Sequence, residues 1–327
     1  IDGIHNLFGS DLALLCQLES GGKAVLVSDE NWQASQNGPI RKNDTELGEE
    51  YDARMEEITD WHGVTVRDLT AAYAAAGKNK TLMPGAKIFL LGILAGALIA
   101  FGGVTANTAS MGANRLIAGC VFPFGLIMVV LLGAELFTGN CLISISVLDK
   151  QARFSGMLRN WVLAYIGNFV GGVLVAALCA YSGQFNWQGG DLAVVTIKAA
   201  VAKCSMGFGS AFFLGVGCNF LVCIAVLLAF AAKDVAGKVL GIFGPICVFV
   251  ICGFEHCVAN MSYLPAGLFA MGIEKYAAKA VEAGVNTGAL SWGGFLLHNL
   301  LPVTLGNIVG GVCIGALMWY ENLRKKK

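Results

Sequence analysis

Charge is what this chain has least of. Asp, Glu, Lys and Arg make up 13% of its 327 residues, about half the roughly 25% of an ordinary soluble domain. With 56% hydrophobic residues and a mean hydropathy of +0.67, that scarcity excludes a soluble globular protein and leaves an integral membrane protein. Metal-ligand spacings are missing too. The eleven cysteines contain no CxxC pair and lie mostly in apolar segments, where cysteine serves as a small hydrophobe. Cys252 and Cys257 flank His256 but match no recognised zinc spacing. Neither a metal nor any other cofactor is expected, and no nucleic-acid partner. No nucleophile motif stands beside Glu255 and His256, which counts against an intramembrane enzyme using those two as acid and base.

The net charge of zero conceals a division. Residues 1–60 hold 13 acidic and 4 basic residues, and the remainder holds 18 basic and 9 acidic. The first 60 residues show no sustained periodicity and carry Ser-Gly-Gly and Asn-Gly turn signals. They read as an appended acidic extension, and a scaffold or receptor signalling through it is a rival to transport. Val66 to Tyr73 has the pattern of an amphipathic helix, expected to end near Gly77 and to lie on the cytoplasmic membrane surface.

Six apolar segments follow, at 88–104, 116–148, 161–181, 207–232, 239–271 and 300–320. The second and fifth each have 33 residues, so an unbroken helix would be about 50 Å long against a hydrocarbon core of roughly 30 Å. Each carries a polar cluster of the form G-x-E-x4-N, Gly133 to Asn140 and Gly253 to Asn260, and each is expected to break there. Nine positions of the third segment, beginning with Asn160, Gly167 and Asn168, recur in the sixth at one offset, beginning with Asn299, Gly306 and Asn307. Segments one to three thus repeat as four to six, and an odd number of spans per copy inverts the second. Basic residues near the membrane divide twelve against five in favour of cytoplasmic ends.

His256 is the sharpest candidate, because an ionisable group at bilayer depth beside a helix break signals function. Its ordinary pKa, near 6.5, lets it attract an anion or exchange a proton with one. Thr138 lies in the matching break, where its hydroxyl can donate to an anion or to the imidazole, or cap the half-helix that follows. Glu135 and Glu255 are expected to accept backbone N–H groups that the breaks set loose. Asn140, Asn260, Asn168 and Asn307 are expected to support the loops in the same way. Phe122, Leu126, Leu136 and Phe249 could form apolar collars.

Gly133-Ala-Glu-Leu-Phe-Thr-Gly-Asn140, Arg159-Asn-Trp161 with Gly167-Asn168, Gly253-Phe-Glu-His256 with Val258-Ala-Asn-Met261, and Leu301-Pro-Val-Thr-Leu-Gly-Asn307 together resemble the formate/nitrite transporter family of formate, nitrite and hydrosulfide channels. The likeness runs from about Val66 to Tyr320. It implies an all-α, aquaporin-like fold of six spans in a 3+3 inverted repeat with broken second and fifth helices, assembled as a homopentamer in the lipid bilayer of the plasma (inner) membrane. It also implies a small monovalent anion as substrate, possibly moving with a proton, and a pore centred on His256 and Thr138 between collars formed by Phe122, Leu126, Leu136 and Phe249. Arg159, where the family usually has lysine, and Lys80 would form a basic inner funnel. The acidic extension at 1–60 has no counterpart in that resemblance and its structure is left open; an amphipathic cytoplasmic helix and linker at 61–86, the six-span channel at 87–322 and a basic cytoplasmic tail at 323–327 are expected to follow.

Overall fold

A computed structural model describes residues 15–18, 24–27, 65–111 and 115–324. Within 1–60 it contains two short strands, β1 (Leu15–Leu18) and β2 (Ala24–Val27), paired antiparallel with Leu15 opposite Val27. This hairpin lies in the extension, whose structure the sequence leaves open; the described residues from 65 onward contain helices and no strand. The rest of the acidic extension lies outside the described residues. Residues 1–62 and residues 63–327 form two compact units, and the second is described from here on.

Helix α1 (Val66–Leu82) opens with a reciprocal cap: the Thr65 hydroxyl accepts the Asp68 N–H, and the Asp68 carboxylate accepts the Thr65 N–H. Two orphan donors of the first turn are satisfied in this way. The helix does not stop near Gly77. A Cβ on Gly77 would sit 2.2 Å from Ser146 Oγ, and Ser146 donates to the Ala74 carbonyl at 2.7 Å. Gly77 is therefore a contact point rather than a terminator, and α1 packs on the protein body through Tyr73 and Ala74. It ends at Met83, held extended by Pro84 as residues before proline are.

The first long helix is α2 (Gly85–Ser110). The second apolar run is divided into α3 (Arg115–Val121), α4 (Pro123–Leu131), α5 (Phe137–Asn140) and α6 (Ile143–Leu148). Helix α7 (Phe154–Tyr181) then crosses α2. A Cβ on Gly171 of α7 would lie 2.1 Å from the Ile93 carbonyl, so the two backbones touch.

Helix α8 (Trp187–Cys204) falls in what the sequence reading treats as an outer loop. Its buried positions, Leu192, Ala193, Thr196, Ile197, Ala200 and Cys204, make a helical stripe that packs on α11. The remaining elements are α9 (Phe208–Ala231), α10 (Val235–Cys252), α11 (Cys257–Met271), α12 (Glu274–Glu282), a π-helical turn over Gly294–Leu300, and α13 (Leu301–Asn322). Helix α13 crosses α9 as α7 crosses α2, with Gly306 and Gly310 against the Phe212 and Val216 carbonyls. Likewise α8 packs on α11 as α1 packs on α6. Among the described residues, five helices are long and apolar enough to cross a membrane: α2, α7, α9, α10 and the π turn with α13.

Candidate functional site

Helix α4 stops at Gly133, with φ 64°, and α10 at Gly253, with φ 74°. Glycine adopts this left-handed conformation without a steric penalty and commonly ends helices. After each glycine the backbone is extended, through Leu136 in the first break and His256 in the second, before a new helix begins. Extended backbone inside an apolar protein needs hydrogen-bond partners. The Glu135 N–H donates to the Leu91 carbonyl and the Glu255 N–H to the Leu214 carbonyl, each at 3.2 Å.

Two asparagines supply most of the rest. Asn168 Nδ2 donates to the carbonyls of Gly92 (2.8 Å) and Glu135 (2.9 Å), while its Oδ1 accepts the Phe137 N–H at 2.9 Å. Asn307 repeats the arrangement with Gly215 (2.7 Å), Glu255 (2.9 Å) and the Cys257 N–H (2.9 Å). The two breaks are thus held by the same chemistry on matching positions.

The glutamates do something other than accept backbone N–H groups. Glu135 pairs with Lys80 at 2.5 Å and accepts from Asn140 Nδ2 (2.7 Å) and Asn160 Nδ2 (3.2 Å). Glu255 pairs with Lys203 at 2.7 Å and accepts from Asn260 Nδ2, also at 2.7 Å. A buried carboxylate is stable only when paired and hydrogen-bonded, and the breaks bring a lysine within reach of each. The carboxylates are 2% and 5% exposed and the lysines 28% and 18%, so each pair buries its negative end and keeps its positive end partly wet. Asn140 and Asn260 donate in turn to Asn160 and Asn299, whose amides reach the Lys80 and Lys203 carbonyls. Lys80 is accordingly engaged with Glu135. Arg159 is exposed and donates to the Met83 carbonyl at 3.0 Å.

Between the breaks, Thr138 Oγ1 and His256 Nε2 are 2.9 Å apart, and both residues are buried. The Thr138 hydroxyl is thereby used on the imidazole, and no side chain caps α5. The Phe249 ring lies 6.1 Å from the imidazole and meets Phe122 edge-on at 5.5 Å. Leu126 and Leu136 are buried in the same cluster. His256 Nδ1 is buried and has no hydrogen-bond partner. With both carboxylates matched to lysines, this nitrogen is a buried polar atom left without a partner on a ring that lies near Phe249.

Four participants escape the sequence reading. Lys203 is the counterpart of Lys80, and both open a K-x-x-M string five residues before a long helix; that shared string is the signal that could have found it. Tyr165 and Thr304 occupy matching places in the two copies and hydrogen-bond to each other at 2.9 Å. Asn219 donates to the carbonyls of Thr138 (3.2 Å) and Asn307 (2.6 Å), tying one half to the other. Its counterpart is Gly96, so no repeat could reveal it.

A sequence model of the family described as Formate/nitrite transporter matches residues 67–320. A second, the alpha-L-rhamnosidase N-terminal domain, matches residues 2–84, a minor part of the chain. A probable formate transporter of Methanothermobacter thermautotrophicus is 40% identical over 282 residues, covering 79% of this chain and 97% of its own. The formate channel FocA of Haemophilus influenzae is 40% identical over 242 residues, covering 71% and 85%. Among solved structures, a pentameric formate channel with formate bound superimposes with a TM-score of 0.66 at 35% identity, covering 73% of this chain and 98% of that one. An FNT family ion channel does so with 0.67 at 27% identity, covering 79% and 99%. These relatives are named as transporters and channels rather than enzymes. The chain is an integral membrane protein and belongs to the formate/nitrite transporter family.

Proposed function

We propose that the chain is one subunit of a homopentameric channel that passes formate through a pore of its own, with His256 assisting by charge or by proton transfer. Six spans form two inverted halves, both ends are cytoplasmic, and the membrane is the plasma (inner) membrane. The observation that carries the reading is the unpartnered, buried Nδ1 of His256 beside the Phe122–Phe249 contact. The matched hydrogen bonds of the two breaks support the inverted halves. The pentameric formate channel among the similar structures supports the assembly and the substrate.

A bare anion in an apolar collar is costly. Arg159 would gather it at the inner side, and Phe122, Phe249, Leu126 and Leu136 would strip its water. At the centre, the Thr138–His256 bond sets what Nδ1 offers. With the threonine hydroxyl donating to Nε2, the ring carries its proton on Nδ1 and donates to the anion; with both nitrogens protonated, it attracts the anion by charge or yields the proton. Formate then crosses as an ion held by a hydrogen bond or as the neutral acid. Glu135 and Glu255, neutralised by Lys80 and Lys203, do not repel it.

Nitrite and hydrosulfide have the same charge and acid chemistry, and the names of the relatives favour formate. The test is flux into proteoliposomes for the three anions across a pH series. Formate is expected to move fastest, with a rate that rises as the pH falls toward the acid side. Absence of flux for all three, with assembly intact, would overturn the reading and favour a scaffold.

A further inference from the structure

Helices α3 and α10 lie side by side and antiparallel. At one end the Arg115 guanidinium covers Gly253, with Nη1 3.0 Å from where a Cβ would sit. One turn along, the space beside Gly119 is filled by Ile251 Cγ1 at 2.6 Å and the Cys247 carbonyl at 3.4 Å. Further on, the Phe122 and Phe249 rings meet. Two cysteines sit inside this contact. The Cys247 carbonyl lies against Gly119, next in sequence to Cys120, so the two cysteines are neighbours across the contact; both are half-buried and neither is in a disulfide. Each precedes one ring of the Phe122–Phe249 pair by two residues. With no side chain on Gly119, Ile251 and the Cys247 carbonyl of α10 lie directly against α3.

We propose that Cys120 and Cys247 are a modification site: a small aliphatic disulfide oxidises them to an intramolecular disulfide that fixes α3 to α10 and narrows the passage between Phe122 and Phe249. One thiolate attacks the reagent, releasing one equivalent of its thiol and leaving a mixed disulfide; the second thiolate attacks the protein sulfur of that bond and releases the other equivalent. The two protein thiol protons leave with the two reagent thiolates, so the protein loses two electrons and the reagent gains them. Thiol reductants reverse both steps. The effect on passage rests on the proposed pore, whereas formation of the bond does not.

The experiment uses the full chain in proteoliposomes, treated with 2-hydroxyethyl disulfide, blocked with N-ethylmaleimide and divided between peptide mass spectrometry and formate flux. The expected result is a linked Cys120–Cys247 peptide pair and a flux reduced about tenfold, equivalent to roughly 1.4 kcal/mol on the barrier, with full recovery in dithiothreitol. Cys120→Ser and Cys247→Ser should each keep the untreated flux and lose both the linked pair and the sensitivity. Cys252→Ser, at the exposed end of α10, should behave as the unaltered chain. The site is overturned by absence of the linked pair, and the narrowing by a linked pair with unchanged flux or by sensitivity that survives in both serine variants. If the untreated chain passes no formate at all, the proposed function fails, and the linked pair still decides the site.

Discussion

An asparagine amide can donate twice and accept at its oxygen, and Asn168 and Asn307 use both ends on the backbone of a break. Removing such a side chain leaves two carbonyls and one N–H buried without partners, at about 1–3 kcal/mol for each group. Asn168→Ala should therefore lower the thermal midpoint of the detergent-solubilised protein far more than Asn322→Ala, which loses one bond at a helix end; equal shifts would show that the breaks do not depend on the amide. At the centre, His256→Asn keeps a polar side chain of similar size but cannot hold or yield a proton near neutral pH. Under the proposed function its formate flux should fall by about tenfold or more at acid pH, with assembly unchanged by size-exclusion chromatography. Wild-type flux in that variant would remove the imidazole from the mechanism. Both asparagines are legible in the sequence because they recur at one offset. The roles of the glutamates are not, since a carboxylate's partner depends on which lysine the fold brings near, and neither lysine is close in sequence to its glutamate.

Helices cross here at distances only glycine permits. The Cβ position on Gly306 lies 2.1 Å from the Phe212 carbonyl, whereas nothing stands within 4 Å of that on Gly244 in α10. Gly306→Ala must push α13 away from α9, and such overpacking costs about 1–3 kcal/mol or more. Gly244→Ala adds a methyl group to open space and gains helix propensity, roughly 1 kcal/mol. Gly306→Ala is expected to lower the midpoint of unfolding and the yield of assembled protein, and Gly244→Ala to hold or raise both. The opposite order, read by thermal scanning fluorimetry, would mean that the crossing tolerates a larger separation. The glycine pairs stand out in the sequence as a repeated Val-Gly-Gly-Val. The buried amphipathic α8 does not, because a short stripe between polar turns looks like a loop until α11 is there to cover it. Gly77 shows the converse: a residue with the look of a helix terminator is in fact a point of contact with Ser146.

At the scale of the molecule, the two halves repeat a network rather than a sequence. Counterparts in the three stretches are displaced by three different intervals, Lys80 to Lys203, Glu135 to Glu255 and Asn160 to Asn299, so comparison at any single interval finds only one stretch. The membrane character and the paired polar clusters needed no structure, whereas the lysine of the second half and the Asn219 tie did, because they act through space across unequal loops. If the halves are equivalent in energy as well as in geometry, each lysine should be coupled to its glutamate to the same degree. Lys80→Met or Lys203→Met alone leaves a buried carboxylate without its cation, at about 3–5 kcal/mol. Adding Glu135→Gln or Glu255→Gln in the same half removes that charge and should restore most of the loss. Double-mutant cycles on unfolding of the solubilised protein should give two coupling energies within about 1 kcal/mol of each other. One pair strongly coupled and the other uncoupled would mean that the likeness of the two breaks is confined to shape, with only one of them depending on its ion pair for stability.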